Sequence, residues 1–161
     1  MEFLASLHPK MVHFPIALLF AFSFLEITGT IFKKESFTKA ASIILVLGLL
    51  GAVAAVLTGN QADEVAEMLF DKDINIPLGK ISAHETFATY TLWYFTALFF
   101  LRLFLILKKK FTGLIKYSFV LLAIIGSVLV YLTGLKGGEL VYKHGVGTEI
   151  ILPTDSSKVN Q

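Results

Sequence analysis

The sequence contains no cysteine. That absence excludes disulfides, thiolate-held iron–sulfur clusters, covalently attached c-type haem and thiol chemistry. Charge is also scarce. Only 16% of residues are Asp, Glu, Lys or Arg, and the net charge is +2. The lysines fall in short clusters between apolar runs, which leaves no continuous basic face for a nucleic acid. There is no Ser/His/Asp ordering, no HExxH and no nucleotide fingerprint, so hydrolase and NAD-enzyme readings have no footing. Gly145-x-Gly147 frames a turn after His144, without the spacing of a phosphate loop. The opening MEFLASLHPK lacks a basic leader before an apolar core, so the first apolar segment is expected to be a retained helix.

Apolar sequence is abundant. Hydrophobic residues make up 55% of the 161, and mean hydropathy is +0.74. Soluble domains sit nearer 45–50% apolar, a rough norm. Four runs reach the length a bilayer requires, about 20 residues each. They cover residues 12–32, 37–59, 83–107 and 112–135. The expected fold is all-α, a four-transmembrane-helix bundle within residues 1–150, followed by a polar tail at 151–161. A soluble bundle of very apolar helices is the less favoured alternative. Pro15 suits a first helical turn, where a missing N–H costs least. Gly48, Gly51, Gly126 and Ser127 allow close helix approach. Gly137-Gly138 read as the break that ends the fourth helix.

Loop charge suggests an orientation. Lys33, Lys34, Lys39, Arg102, Lys108, Lys109, Lys110 and Lys116 share one side with a single acid, Glu35. Asp63, Glu64, Glu67, Asp71, Asp73 and Glu85 lie on the other. The positive-inside rule puts the lysines in the cytoplasm and both termini, with the 60–82 loop, outside. In a bacterium this means a multi-pass inner-membrane protein with that loop in the periplasm. Gln61–Phe70 alternates acids and apolar residues at helical spacing, which suits an extension of the second helix or a surface helix. Asp71–Gly79 reads as a turn.

The chain reads as two copies of one helical hairpin. Leu57-Thr58-Gly59 and Leu132-Thr133-Gly134 close the second and fourth helices, each with a glutamate six residues after its threonine. On this alignment His13 and His84 are equivalent, related by an axis along the membrane normal. All four histidines, His8, His13, His84 and His144, map to the outer interface. Each alone has an ordinary explanation as a cap, a turn residue or an interfacial side chain. Four at one depth suggest a bound cation or cofactor.

Two chemistries compete with a purely structural cluster. A b-type haem needs two axial imidazoles from facing helices; His13 and His84 are the expected pair, with Phe14, Phe87, Tyr90 and Trp93 as a wall. His8 and His144 would then serve a second haem or, with Lys10 or Lys143, the propionates. A divalent metal would instead gather three or four compact ligands, drawing on Glu85 or Glu139. At the other end, Glu26 and Arg102 lie at similar depth and are expected to pair.

Three segments resemble a known family. LHPKMVHFPIALL (7–19), the His84 helix start and GGELVYKHGVG (137–147) are similar to the bacterial membrane proteins grouped as domain of unknown function 2231. The resemblance spans about residues 5–150. It implies a four-helix membrane module without an established activity, with its histidines at positions 8, 13, 84 and 144. The leading functional expectation is a haem b electron-transfer module or respiratory-complex subunit at the outer face. It would exchange electrons with a quinol or cytochrome partner, alone, as a homo-oligomer or in a larger complex. The alternative is a metal-binding or purely structural accessory subunit. A transporter is not expected, because no span carries a polar stripe.

Overall fold

The computed structural model describes residues 2–148, so the tail beginning at Ile151 lies outside the described residues. Five helices follow in order: α1 (Glu2–Met11), α2 (His13–Ile31), α3 (Glu35–Phe70), α4 (Leu78–Leu107) and α5 (Leu114–His144). There is no strand among the described residues. Four stretches are long and apolar enough to cross a membrane; the first of them, Phe3–Ile31, joins α1 to α2. The four-helix all-α reading therefore holds.

Three boundaries differ from the sequence reading, each for a physical reason. The residues before Val12 are helical, with His8 on α1 rather than in a loop. The second span runs past Gly59 to Phe70, the helix extension that is one of the two readings of Gln61–Phe70, and the third starts at Leu78, leaving only a short connection. Gly137 and Gly138 do not break the last helix, which continues to His144 and stops at Gly145 in the left-handed conformation. These overhangs are stabilised by packing. Ala66, Ile76, Ile81 and Leu140 form a buried apolar cluster where the extended ends of α3 and α5 meet the start of α4. That burial outweighs the helix cost of two glycines, about 1 kcal/mol each.

The repeat is real in the backbone, but its register is not that of the LTG motifs. Lys33 and Lys109, 76 residues apart, both take positive φ (53° and 54°). Each follows a helix end closed the same way. The Lys34 N–H donates to the Gly29 carbonyl and the Lys110 N–H to the Leu105 carbonyl, both at 2.8 Å. This is the six-to-one bond of a Schellman motif, which satisfies carbonyls a helix end would otherwise orphan. With the same offset of 76, the start of α1 corresponds to the start of α4. The first span is parted at Val12 where α4 runs through. Pro15 has no N–H to give the Met11 carbonyl, whereas Thr91 stands at the matching position of α4.

In the second helix of each hairpin the offset is 78. Leu19 packs into Gly48 of α3, and Phe95 packs into Gly126 of α5. Ala41, Leu45 and Gly48 thus match Phe119, Ala123 and Gly126. The two extra residues lie in the loop between α4 and α5, which carries the buried Phe111. Around the ring of helices, α2 and α4 each touch α3 and α5 and face one another across the centre; α1 packs on α3. Phe22 and Phe95 meet edge-on across that centre, their ring centroids 6.1 Å apart.

Outward faces are apolar as well. Phe14, Tyr90 and Trp93 are each at least 60% exposed, so they do not form the cofactor wall expected from sequence. In a bilayer the lipid-facing surface is where large apolar side chains are stable, and interfacial Trp and Tyr favour the headgroup level.

The glycine contacts generate a test. A Cβ on Gly126 would lie 2.6 Å from Phe95 Cζ, and one on Gly48 2.8 Å from Leu19 Cδ2. Gly126→Ala and Gly48→Ala are expected to lower stability by about 1–3 kcal/mol. Gly134→Ala, where an added Cβ meets nothing within 4 Å, should be neutral or mildly stabilising. Unfolding midpoints in detergent measure the contrast.

Candidate cofactor site: a paired imidazole at one end of the bundle

The repeat register brings together the histidines that it makes equivalent. These are His8 and His84, 76 residues apart. Their ring centroids are 6.4 Å apart, with the planes inclined at 68°. Both rings are partly buried.

Each ring is anchored by the same device. His8 Nδ1 lies 3.0 Å from the Ala55 carbonyl on α3, and 3.2 Å from Thr58 Oγ1. His84 Nδ1 lies 3.2 Å from the Thr133 carbonyl on α5. Four residues beyond each carbonyl is a glycine against which the ring packs. A Cβ at Gly59 would lie 3.0 Å from His8 Cε1, and one at Gly137 would lie 3.0 Å from His84 Cε1. Ala55 and Thr133, like Gly59 and Gly137, differ by 78. Two imidazoles thus sit on two helices through matching contacts.

The carbonyls determine the tautomer. A carbonyl oxygen only accepts, so Nδ1 must carry the proton and donate. In the neutral ring Nε2 is then the unprotonated nitrogen, with its lone pair available. This is the arrangement found in metal-ligating histidines, whose second ring nitrogen is held by a carbonyl or carboxylate. The Thr58 hydroxyl donates into its own helix, towards the Ala54 and Ala55 carbonyls, and its oxygen remains available to His8. Thr133 and Thr91 share a hydrogen bond of 2.9 Å beside His84, linking α4 to α5 at this level.

The other two histidines stand apart from this pair. His13 opens α2 just beyond the break at Val12 and is exposed. It is His8, not His13, whose ring comes against His84. His144 closes α5 and is partly buried beside the Gly145 cap. Among the described residues no group of three or more His, Asp or Glu side chains converges as a metal site, so Glu85 and Glu139 do not complete one. Glu139 instead bridges to Lys80 and Lys143. Lys136 covers the Phe87 ring at 4.7 Å.

The profile of the predicted membrane proteins called domain of unknown function 2231 matches residues 5–150. The chain belongs to this family. No curated protein and no solved structure is matched. In this DUF2231 chain both members of the imidazole pair lie inside the matched region.

The opposite end of the same DUF2231 bundle holds the expected ion pair. Glu26 and Arg102, again 76 apart, meet with Arg102 Nη1 2.8 Å from Glu26 Oε2. Both residues are at most 1% exposed. The contact is close but off the hydrogen-bonding direction, leaving Nη1 and both carboxylate oxygens without a hydrogen bond among the described residues. The rest of the guanidinium is well held. Arg102 Nε donates to Ser42 Oγ at 3.0 Å and Nη2 to the Thr38 carbonyl at 2.9 Å. Phe111, from the two-residue insertion loop, stacks 4.4 Å from the guanidinium carbon.

Breaking this pair leaves an uncompensated buried charge. Glu26→Ala is expected to cost about 3–5 kcal/mol of stability, and Arg102→Leu a similar amount. The double change Glu26→Leu with Arg102→Leu should recover most of that loss, because an apolar pair carries no desolvation penalty. A double-mutant cycle on unfolding in detergent measures the coupling.

Proposed function

We propose that His8 and His84 are the axial ligands of a b-type haem, and that the protein is a membrane electron-transfer module. One observation carries the reading: two imidazoles, each with Nδ1 committed to a helix carbonyl and no hydrogen bond at Nε2 among the described residues, lie with their ring centroids 6.4 Å apart. The donor set also favours haem over a bare ion. A structural zinc site takes four protein ligands and a catalytic one three. Here two are available, which suits an iron whose other four positions are filled by a porphyrin.

Bound haem would supply one-electron chemistry. The chain's own residues fix the ligand tautomer, aim the rings and hold α1 against α3 and α4 against α5. Loop charge supports an inner-membrane location in a bacterium, with the lysine-rich end in the cytoplasm and the imidazole pair at the outer face. A quinol or a cytochrome at that face is the matching electron partner, whether the module works alone or as a subunit.

A second reading rests on the ring contacts with Gly59 and Gly137, which already close-pack the end of the bundle. In that reading the imidazoles are structural fasteners of an accessory subunit.

Absorption spectra of detergent-purified protein, oxidised and then dithionite-reduced, separate the two. Under the haem reading a Soret band sharpens on reduction and is lost in His8→Ala and in His84→Ala, while His13→Ala and His144→Ala keep it. Colourless, iron-free protein expressed with an ample haem supply would end this proposal. Destabilisation by His8→Ala and His84→Ala in that colourless protein would then support the structural reading.

A further inference from the structure

At the lysine-rich end, a groove of about 300 Å³ opens between the start of α3, the end of α4 and the loop leading into α5. Arg102 and Thr38 line it, with Lys39, Lys109, Lys116 and Thr112 around them. Its position is where apolar spans end: α3 begins at Glu35, α4 stops at Leu107 and α5 begins at Leu114. Hydrocarbon therefore gives way to headgroups at its mouth.

The charge there is unbalanced. Four cations, Lys39, Lys109, Lys116 and Arg102, face two carboxylates, Glu26 and Glu35. Glu26 is occupied by Arg102 and Glu35 by Lys39. Lys109 and Lys116 have no acidic partner among the described residues. A second observation lies deeper in the groove. Thr38, more than nine-tenths buried, lines the groove, and its Oγ1 makes no hydrogen bond among the described residues. A buried polar atom is rarely left so, and it carries a desolvation cost that a ligand oxygen would offset. Apolar Ile106 and Phe111 line the same groove, so its wall is amphipathic.

We infer that this groove binds the phosphate of an anionic phospholipid headgroup. Lys109 and Lys116 supply the charge, the hydroxyls of Thr112 and the buried Thr38 supply donors, and Ile106 and Phe111 border the glycerol and upper acyl chain. Basic pockets between membrane helices recognise headgroups by this combination of charge and depth. The site is independent of the imidazole pair at the other end.

The test uses the full chain in nanodiscs of phosphatidylcholine alone or with added phosphatidylglycerol, reading the thermal midpoint and the lipids retained in native mass spectra. Phosphatidylglycerol should raise the midpoint by several degrees and survive as a bound adduct. Lys109→Gln with Lys116→Gln should abolish both effects. Lys33→Gln with Lys108→Gln, an equal loss of charge outside the groove, should leave them intact. Equal loss from both double variants would mean diffuse surface attraction and would overturn the inference. So would an unchanged phosphatidylglycerol effect in the groove variant. Inorganic phosphate giving the same midpoint rise in phosphatidylcholine discs would assign the groove to a soluble anion and overturn the lipid assignment.

Discussion

Glu26 against Arg102 is the contact on which the arrangement of the two hairpins depends. The two residues occupy equivalent places in the repeat and face each other across its centre. Two identical hairpins would bring like residues together there, either two carboxylates or two guanidinium groups. Like charges at that separation, out of water, are strongly unfavourable. Opposite charges therefore select one pairing, first hairpin with second, over either hairpin with a copy of itself. A buried ion pair is weak evidence for net stability, but it is well suited to enforcing register and partner choice.

The same centre line shows where symmetry is kept and where it is given up. It is kept in the middle, where Leu19 in Gly48 mirrors Phe95 in Gly126, and at the far end, where His8 on Ala55 mirrors His84 on Thr133. It is abandoned at the charged end. There the second copy inserts two residues, and with them Phe111, over the guanidinium. It is abandoned again in the first span, where Pro15 parts the helix at Val12. That break separates α1 as a short helix of its own, packed on α3, and α1 is the element that carries His8.

The four spans were legible because bilayer length is written directly in the apolar runs. Glu26 and Arg102 were legible because depth along a helix follows from counting residues. The partner of His84 was not. Hydropathy does not give helix rotation, and the groups that hold His8 and His84 include backbone carbonyls, which no side-chain pattern reveals. The LTG motifs lie 75 apart and His13 and His84 only 71; those two were paired because each was read as opening a span, whereas the first span reaches back through α1 past His8. Gly137 was misread because glycine ends helices in water but serves as a packing surface between membrane helices. Phe14, Tyr90 and Trp93 were misread for a related reason, since an aromatic stripe in a membrane helix faces lipid as readily as a core.

The middle of the bundle limits what the two ends can do together. Between the imidazoles and the ion pair lie Leu19, Phe22, Leu45, Phe95 and Ala123, each at most 2% exposed. The polar side chains at that level, Ser23 and Tyr94, spend their hydroxyls on the Leu19, Ala123 and Leu122 carbonyls. From His13 to Glu26 the helical rise is about 20 Å. Close packing of large apolar side chains over that span gives a proton or hydrated ion no polar foothold inside one copy of the chain, since each unsatisfied step costs several kcal/mol. Proton movement from the imidazole end is therefore blocked by the middle of the bundle. On the haem reading proposed above, any proton exchanged with that chemistry would enter and leave at the same end, and the ion pair beneath it acts as a lock on the hairpins rather than as the next station of a relay.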